Sequence, residues 1–507
     1  MNAPLRRVGV VVMVLFALLF LNLNYRQVVK ADAYRTDSHN RRVQTAEYER
    51  PRGKIADAKG TVLADAQSTG NSLKYLRTYP LKEEYAHVLG YKPVTPMVAT
   101  GLERLNNDFL VGTSDKQAAD RIARLFTGKE PAGGNVLLTI SKATQDTAYQ
   151  ALGNNRLKAK SGAVVAMDPS TGAILAEVSL PSYDPNLLST HDTSAARANY
   201  NTLNNDPAKP LLNRAVSEVF PPGSTFKIIT SAAAMTADSS LTPDSVVPGG
   251  EFYKPPQVSD FQIKNAHTGV CPDQITLKQA LTVSCNTVFA RMGVERIGAD
   301  KLKSMAQAFG FEQEPRFIED QDRNYCGVVA SRTGPMTAGS DNRVDPPAVA
   351  QSSIGQREVK MSPLQGAMIA ATVANGGKQM RPYVVDRLQN SDLSIADHTE
   401  PKTLRTPISA DVARELQDMM FSVVTADDGT GKSARIPGLQ VGGKTGTAQD
   451  GEDAEDHGWF IGFALKDGKP IVSVAVFLQN AGKGGSAEAA RISGLVMKAY
   501  ADEKGIR

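Results

Sequence analysis

Two pairs of apolar runs at opposite ends of the chain constrain its fold most tightly. Gly162-Ala163-Val164-Val165-Ala166-Met167 and Ala173-Ile174-Leu175-Ala176-Glu177-Val178 flank Asp168-Pro169-Ser170-Thr171-Gly172. That connection has the turn chemistry of a hairpin with a five-residue loop. Far downstream, residues 458–465 and 471–478 flank Lys466-Asp467-Gly468-Lys469, a second hairpin with an Asp-Gly turn. Mostly helical sequence fills the interval, and an amphipathic helix is expected over 487–501. Strands supplied from both ends, with helices inserted between, predict an antiparallel sheet flanked by helices, an α+β arrangement.

At 507 residues the chain exceeds one ordinary core, so two or three domains are expected. Ala132-Gly133-Gly134 punctuates it, followed by a strand over 135–140 and a helix over 142–152. Before that point the sequence is mixed and polar. Arg52-Gly53-Lys54-Ile55-Ala56-Asp57 and Gly60-Thr61-Val62-Leu63-Ala64 read as a hairpin, and residues 115–125 as a charged helix. Nothing in this part carries catalytic chemistry, so it reads as a spacer and docking module. The expected divisions are a tail over 1–7, an apolar anchor over 8–25, a pedestal over 26–157 and a catalytic domain over 158–507.

The anchor follows from Arg6 and Arg7, which precede an apolar run from Val8 that is extended as far as Tyr25. About 18 residues suffice to cross the roughly 30 Å hydrocarbon core as a helix. Ala31-Asp32-Ala33 resembles a signal-peptidase site but lies beyond Arg26 and Lys30, so an uncleaved anchor is the expectation. The arginines place the N-terminus in the cytoplasm and the remainder outside.

A net charge of +4, with no dense basic stripe, gives no reason to expect nucleic acid. The three cysteines suit an oxidising exterior. Cys271 and Cys285 bracket a segment where a disulfide would brace the chain, leaving Cys326 free. Three unpaired thiols are the alternative. No Cys/His ligand cluster is present, so neither metal nor cofactor is expected. Gly431-Lys432-Ser433 lacks the earlier glycine of a phosphate loop. The acidic run Asp450, Glu452, Asp453, Glu455 and Asp456 lacks the spacing of a calcium loop.

Three short segments carry the chemistry. Ser224-Thr225-Phe226-Lys227 follows Pro221-Pro222-Gly223 and opens an apolar helix, which puts Ser224 in the first turn. Residues three apart share a helical face, so the serine hydroxyl and the lysine amine can meet. The lysine acts as base only when neutral, which burial and a second cation favour. Ser284-Cys285-Asn286 lies between two stretches of helical apolar spacing and reads as a tight interhelical turn. Ser340-Asp341-Asn342 has similar letters but sits in a Gly-, Asp- and Pro-rich stretch, so Ser284 is preferred. Lys444-Thr445-Gly446-Thr447 reads as strand, where glycine admits a substrate backbone and the cation suits a free carboxylate.

In this order, the segments resemble the class B penicillin-binding proteins, most closely the actinobacterial penicillin-binding protein A group. Arg52-Gly53-x-Ile55-x-Asp57, Gly101-Leu102-Glu103, Pro181-Ser182-Tyr183-Asp184-Pro185-Asn186, Ser353-Ile354-Gly355-Gln356 and Ala374-Asn375-Gly376-Gly377 extend the likeness along the chain. The resemblance implies the serine penicillin-recognising transpeptidase fold, with a five-stranded antiparallel sheet and a helical subdomain. It implies a peptidoglycan D,D-transpeptidase that cross-links stem pentapeptides ending in D-Ala-D-Ala, serves division or growth, and is acylated by β-lactams. Ser224 would be the nucleophile, Lys227 the base, and Ser284 a proton relay with Lys444. Asn286 would hold the donor peptide and Lys227. Thr445, Gly446 and Thr447 would form the substrate-binding strand, and the Ser224 and Thr447 backbone N–H groups the oxyanion hole. A SEDS-family membrane glycosyltransferase is the implied partner. A D,D-carboxypeptidase or β-lactamase-type hydrolase would use the same nucleophile with water as acceptor. A non-catalytic divisome scaffold is the other alternative.

Overall fold

The structure is a computed structural model. It describes residues 2–30, 47–71, 73–94, 97–127, 132–256, 258, 260–315, 317, 327–338, 343–449 and 455–506. Cys326, Ser340-Asp341-Asn342, Ala31-Asp32-Ala33 and the residues Asp450, Glu452 and Asp453 fall outside that set.

Two sheets organise the chain. Their strands are β1 (Ile55–Ala56), β2 (Val62–Ser68), β3 (Tyr75–Thr78), β4 (Asn135–Leu138), β5 (Ser161–Met167), β6 (Ile174–Leu180), β7 (Val385–Gln389), β8 (Ile395–His398), β9 (Gln440–Ala448), β10 (His457–Lys466) and β11 (Lys469–Gln479). The first sheet has six strands in the order β8-β7-β4-β1-β2-β3, and the second has five in the order β9-β10-β11-β5-β6.

The five-stranded sheet has both expected hairpins, paired antiparallel. Asp467 and Gly468 turn the second with positive φ at both positions, which a two-residue hairpin loop requires. Val476 of β11 lies opposite Val164 of β5, joining the two ends of the chain. Helices cover both faces. Ala163, Val165, Trp459, Ile461, Ala475 and Phe477 share one core with the helices Lys227–Ala237 and Pro363–Ala374. Val164, Ala166, Phe460, Val474 and Val476 share a second with the helices Lys142–Gly153 and Gly485–Glu503. Burial on both sides explains why these strands are continuous apolar runs rather than an alternating pattern.

The first sheet is less contiguous than the sequence implies. β7 pairs antiparallel with β4, so the hairpin β7–β8 from the catalytic half completes the pedestal sheet. Conversely, the helix Lys142–Gly153 precedes residue 158 yet packs on the five-stranded sheet. The pedestal motifs are structural. Glu103 is fully buried and takes Arg52 Nε at 2.7 Å and Arg77 Nε at 2.5 Å. Gly53 lies against Gly133-Gly134, where an added Cβ would come within 1.8 Å of Gly134 O.

The N-terminal helix Asn2–Asn24 continues into a turn over Tyr25–Val29. Arg6–Val29 is long and apolar enough to cross a membrane.

Candidate active site

The serine turn, the interhelical turn and the strand β9 meet at one edge of the five-stranded sheet. Ser224 lies on a single 3-10 turn, Gly223–Phe226, that runs directly into the buried helix Lys227–Ala237. The first N–H groups of such a terminus have no partner within the helix. The turn is clamped from three sides. Gly223 N donates to Gly355 O at 2.9 Å, Trp459 Nε1 donates to Pro221 O at 3.0 Å, and Phe220 pairs with Met361. Gly223 has a φ of +54°, and a Cβ there would come within 2.3 Å of Thr447 O. Gly355, from the Ser353-Ile354-Gly355-Gln356 segment, would drive a Cβ to 2.1 Å from Gly223 O. Glycine at both places lets three backbones meet at the serine.

Ser284 ends the turn between the helices Leu277–Thr282 and Asn286–Met292, with a φ of +61°. A positive φ at a non-glycine residue is uncommon and costly, and such residues cluster at functional sites. Cys285 Sγ is bonded to Cys271 Sγ, with the Cα atoms 5.8 Å apart. The bridge ties the middle residue of this motif to the segment that lies over it.

Both lysines are fully buried. Lys227 Nζ donates to Ser284 O at 2.8 Å and Asn286 Oδ1 at 2.7 Å, with Ser284 Oγ at 3.2 Å. Lys444 Nζ reaches the same Ser284 Oγ at 2.9 Å and Thr445 O at 3.0 Å. Burial, and then the charge of Lys444, hold Lys227 well below the usual lysine range. Burial lowers Lys444 to about 7. The pocket thus contains two buried amines, both lowered from the usual lysine range and linked by one hydroxyl.

β9 is the edge strand of its sheet, paired with β10 on one side only. Lys444 Nζ bonds Thr445 O, and Gln356 Nε2 approaches Thr447 O at 3.5 Å. Those carbonyls therefore face the free edge, and the N–H of a strand residue points the same way as its C=O. Thr447 N–H thereby faces the serine turn.

Two expectations for this strand change in detail. The space beside Gly446 is filled by the protein itself, since a Cβ would meet Pro222 O at 2.6 Å and Thr225 Cγ2 at 2.9 Å. Glycine is needed there to seat the serine turn. Thr445 is buried and its hydroxyl is bonded to Thr430 Oγ1 at 2.6 Å, whereas Thr447 is exposed. Thr430, Asn265 and Trp459 carry no sequence signal for a part in this site, because each acts through a contact outside its own segment. Among the described residues no group of His, Cys, Asp and Glu could hold a metal ion.

Residues 162–498 match the family described as penicillin binding protein transpeptidase domain. Residues 52–136 match that described as penicillin binding protein A dimerisation domain. The chain is 43% identical over 487 residues to the peptidoglycan D,D-transpeptidase PbpA of Mycolicibacterium smegmatis, covering 95% of this chain and 94% of the relative. It is 41% identical over 491 residues to PbpA of Mycobacterium tuberculosis, with coverage of 95% and 94%. A solved structure of penicillin-binding protein A from M. tuberculosis, a ceftriaxone acyl-enzyme complex, superposes with a TM-score of 0.81. That match has 38% identity and covers 90% of this chain and 99% of the other.

Proposed function

The chain belongs to the class B penicillin-binding proteins, and from that premise we propose that it is a peptidoglycan D,D-transpeptidase acylated at Ser224. The observation that most supports this assignment is the convergence of Lys227 and Lys444 on Ser284 Oγ, with Lys227 one turn along the helix from Ser224.

In the first half-reaction Ser224 Oγ attacks the carbonyl carbon of the penultimate D-Ala, and its proton passes to the neutral Lys227. The Ser224 and Thr447 N–H groups hold the developing oxyanion. The C–N bond to the terminal D-Ala then breaks. Its nitrogen takes a proton from Ser284, which is reprotonated by Lys227 directly or through Lys444, so that Lys227 is neutral again. In the second half-reaction an amine on a neighbouring stem attacks the ester and gives a proton to Lys227, which passes it to Ser224 Oγ as that oxygen leaves. Lys444 and the exposed Thr447 bind the terminal carboxylate, with Thr445 held behind them. A β-lactam presents the same carbonyl and carboxylate and stops at the ester.

Arg6 and Arg7 before the apolar helix support a cytoplasmic N-terminus with the catalytic domain outside. The resemblance to class B proteins brings a SEDS-family membrane glycosyltransferase as the partner that supplies the strands to be cross-linked.

The test is a fluorescent penicillin added to the detergent-solubilised chain beside Ser224→Ala. Stable labelling that the substitution abolishes is expected. A label that decays within seconds would indicate a hydrolase, and no label on folded protein would overturn the enzymatic reading.

A further inference from the structure

A neutral amine has two N–H bonds and one lone pair. Ser284 O and Asn286 Oδ1, at 2.8 and 2.7 Å from Lys227 Nζ, can only accept, so they take both N–H bonds. The lone pair is left for a hydroxyl proton. This holds only while Asn286 presents its oxygen. Turned over, the amide would present Nδ2, a donor, and would consume the lone pair that catalysis needs.

Something must therefore fix the Asn286 amide, and none of the three catalytic segments does so. Asn286 Nδ2 donates to Lys264 O at 2.9 Å, in the short strand Ile263–Lys264. The adjacent Asn265 fastens that strand to the helix Asn286–Met292. Its Oδ1 accepts from Asn286 N at 2.9 Å and Thr287 N at 3.2 Å. Its Nδ2 donates to Gly250 O at 3.0 Å, and Thr287 Oγ1 donates to the same carbonyl at 2.7 Å. One amide thus caps the helix, anchors the overlying segment and holds the Lys264 carbonyl against Asn286.

We propose that Asn265 is a positioning residue for acylation, which through Lys264 O keeps Asn286 Oδ1 on Lys227 and so aims the lysine lone pair at a hydroxyl. This rests on the transpeptidase reading above.

The test compares the full-length chain with Asn265→Ala and Asn265→Asp, following β-lactam acylation by stopped flow across pH. In Asn265→Ala the acylation rate constant at saturation falls about tenfold, the worth of one hydrogen bond, with little change in the half-saturating concentration. Its acid limb moves to lower pH, because the protonated lysine loses an acceptor. Asn265→Asp keeps the acceptor for both N–H groups but sets a carboxylate oxygen against Gly250 O, so it recovers only part of the plateau. Its carboxylate favours the ammonium and moves the limb to higher pH. A wild-type plateau and limb in Asn265→Ala would overturn the inference and leave the transpeptidase reading intact. So would a loss that merely tracks the folded fraction with the limb unmoved. Absence of acylation in the wild-type chain would overturn both.

Discussion

Lys227 and Lys444 share a single hydroxyl. Ser284 Oγ lies 3.2 Å from the first amine and 2.9 Å from the second, and both side chains are fully buried. Two ammonium groups at such separations repel, and their desolvation is costly. The arrangement is tolerable only when at least one is neutral, which is the state a serine nucleophile requires of its base.

Acylation by a carboxylate-bearing penicillin should therefore have a bell-shaped pH dependence. On the acid side Lys227 takes up a proton and ceases to be a base. On the alkaline side Lys444, at about 7, gives up the charge that draws the carboxylate. Second-order acylation rate constants measured across neutrality test this, and a flat profile would contradict it.

Lys444→Met should alter the pH dependence of stability as well as abolish efficient acylation. Lys444 titrates at about 7 in the folded protein but near ~10.4 when unfolded. Between those values the unfolded chain binds more protons, so wild-type stability rises with pH across that window. Below about 7 both states are protonated, and the full cost of burial stands. The stability of the methionine variant relative to wild type should thus be greatest at and below neutrality. It should decline by up to about 5 kcal/mol toward the unfolded-state pKa. Urea unfolding of both proteins at neutral and alkaline pH measures this, and parallel pH dependences would refute it.

Gly446→Ala should leave the fold in place and impair the chemistry. The added methyl would press on Pro222 O at 2.6 Å and move β9 off the serine turn. A displacement of about 1 Å at a catalytic constellation costs on the order of 10²-fold in rate. Acylation kinetics beside the thermal midpoint separate the two effects; an unimpaired rate would mean the strand gives way without consequence.

Glu103→Gln should destabilise the pedestal by about 3–5 kcal/mol. Burial alone would raise the Glu103 carboxyl, but Arg77 and Arg52 outweigh it and hold the group below its usual value. Removing that charge strands two buried guanidinium groups. A thermal midpoint within error of wild type would show that the ion pairs contribute nothing.

The parts of the fold legible in the sequence were those governed by local rules. Asp467-Gly468 declares its turn, the apolar runs declare a two-sided sheet, and Pro221-Pro222-Gly223 declares the start of the serine helix. The relation of β7 to β4 was not legible, because a five-residue strand with mixed exposure carries no label for its distant neighbour. Asn265 was invisible for a similar reason: an isolated asparagine in a loop has no pattern, and its role lies in where two backbone N–H groups arrive. At Gly446 the sequence indicates that a close approach exists, but not that the Pro222 backbone is what approaches.

The strand exchange between pedestal and catalytic half has a consequence for how the molecule is made. β4 waits for β7, so the pedestal sheet stays unfinished until the chain has been made as far as residue 389. An unpaired edge of this kind invites association with the wrong partner. The pedestal and the catalytic unit accordingly mature as one body, and the earlier sheet is finished only after the first strands of the later one have been made.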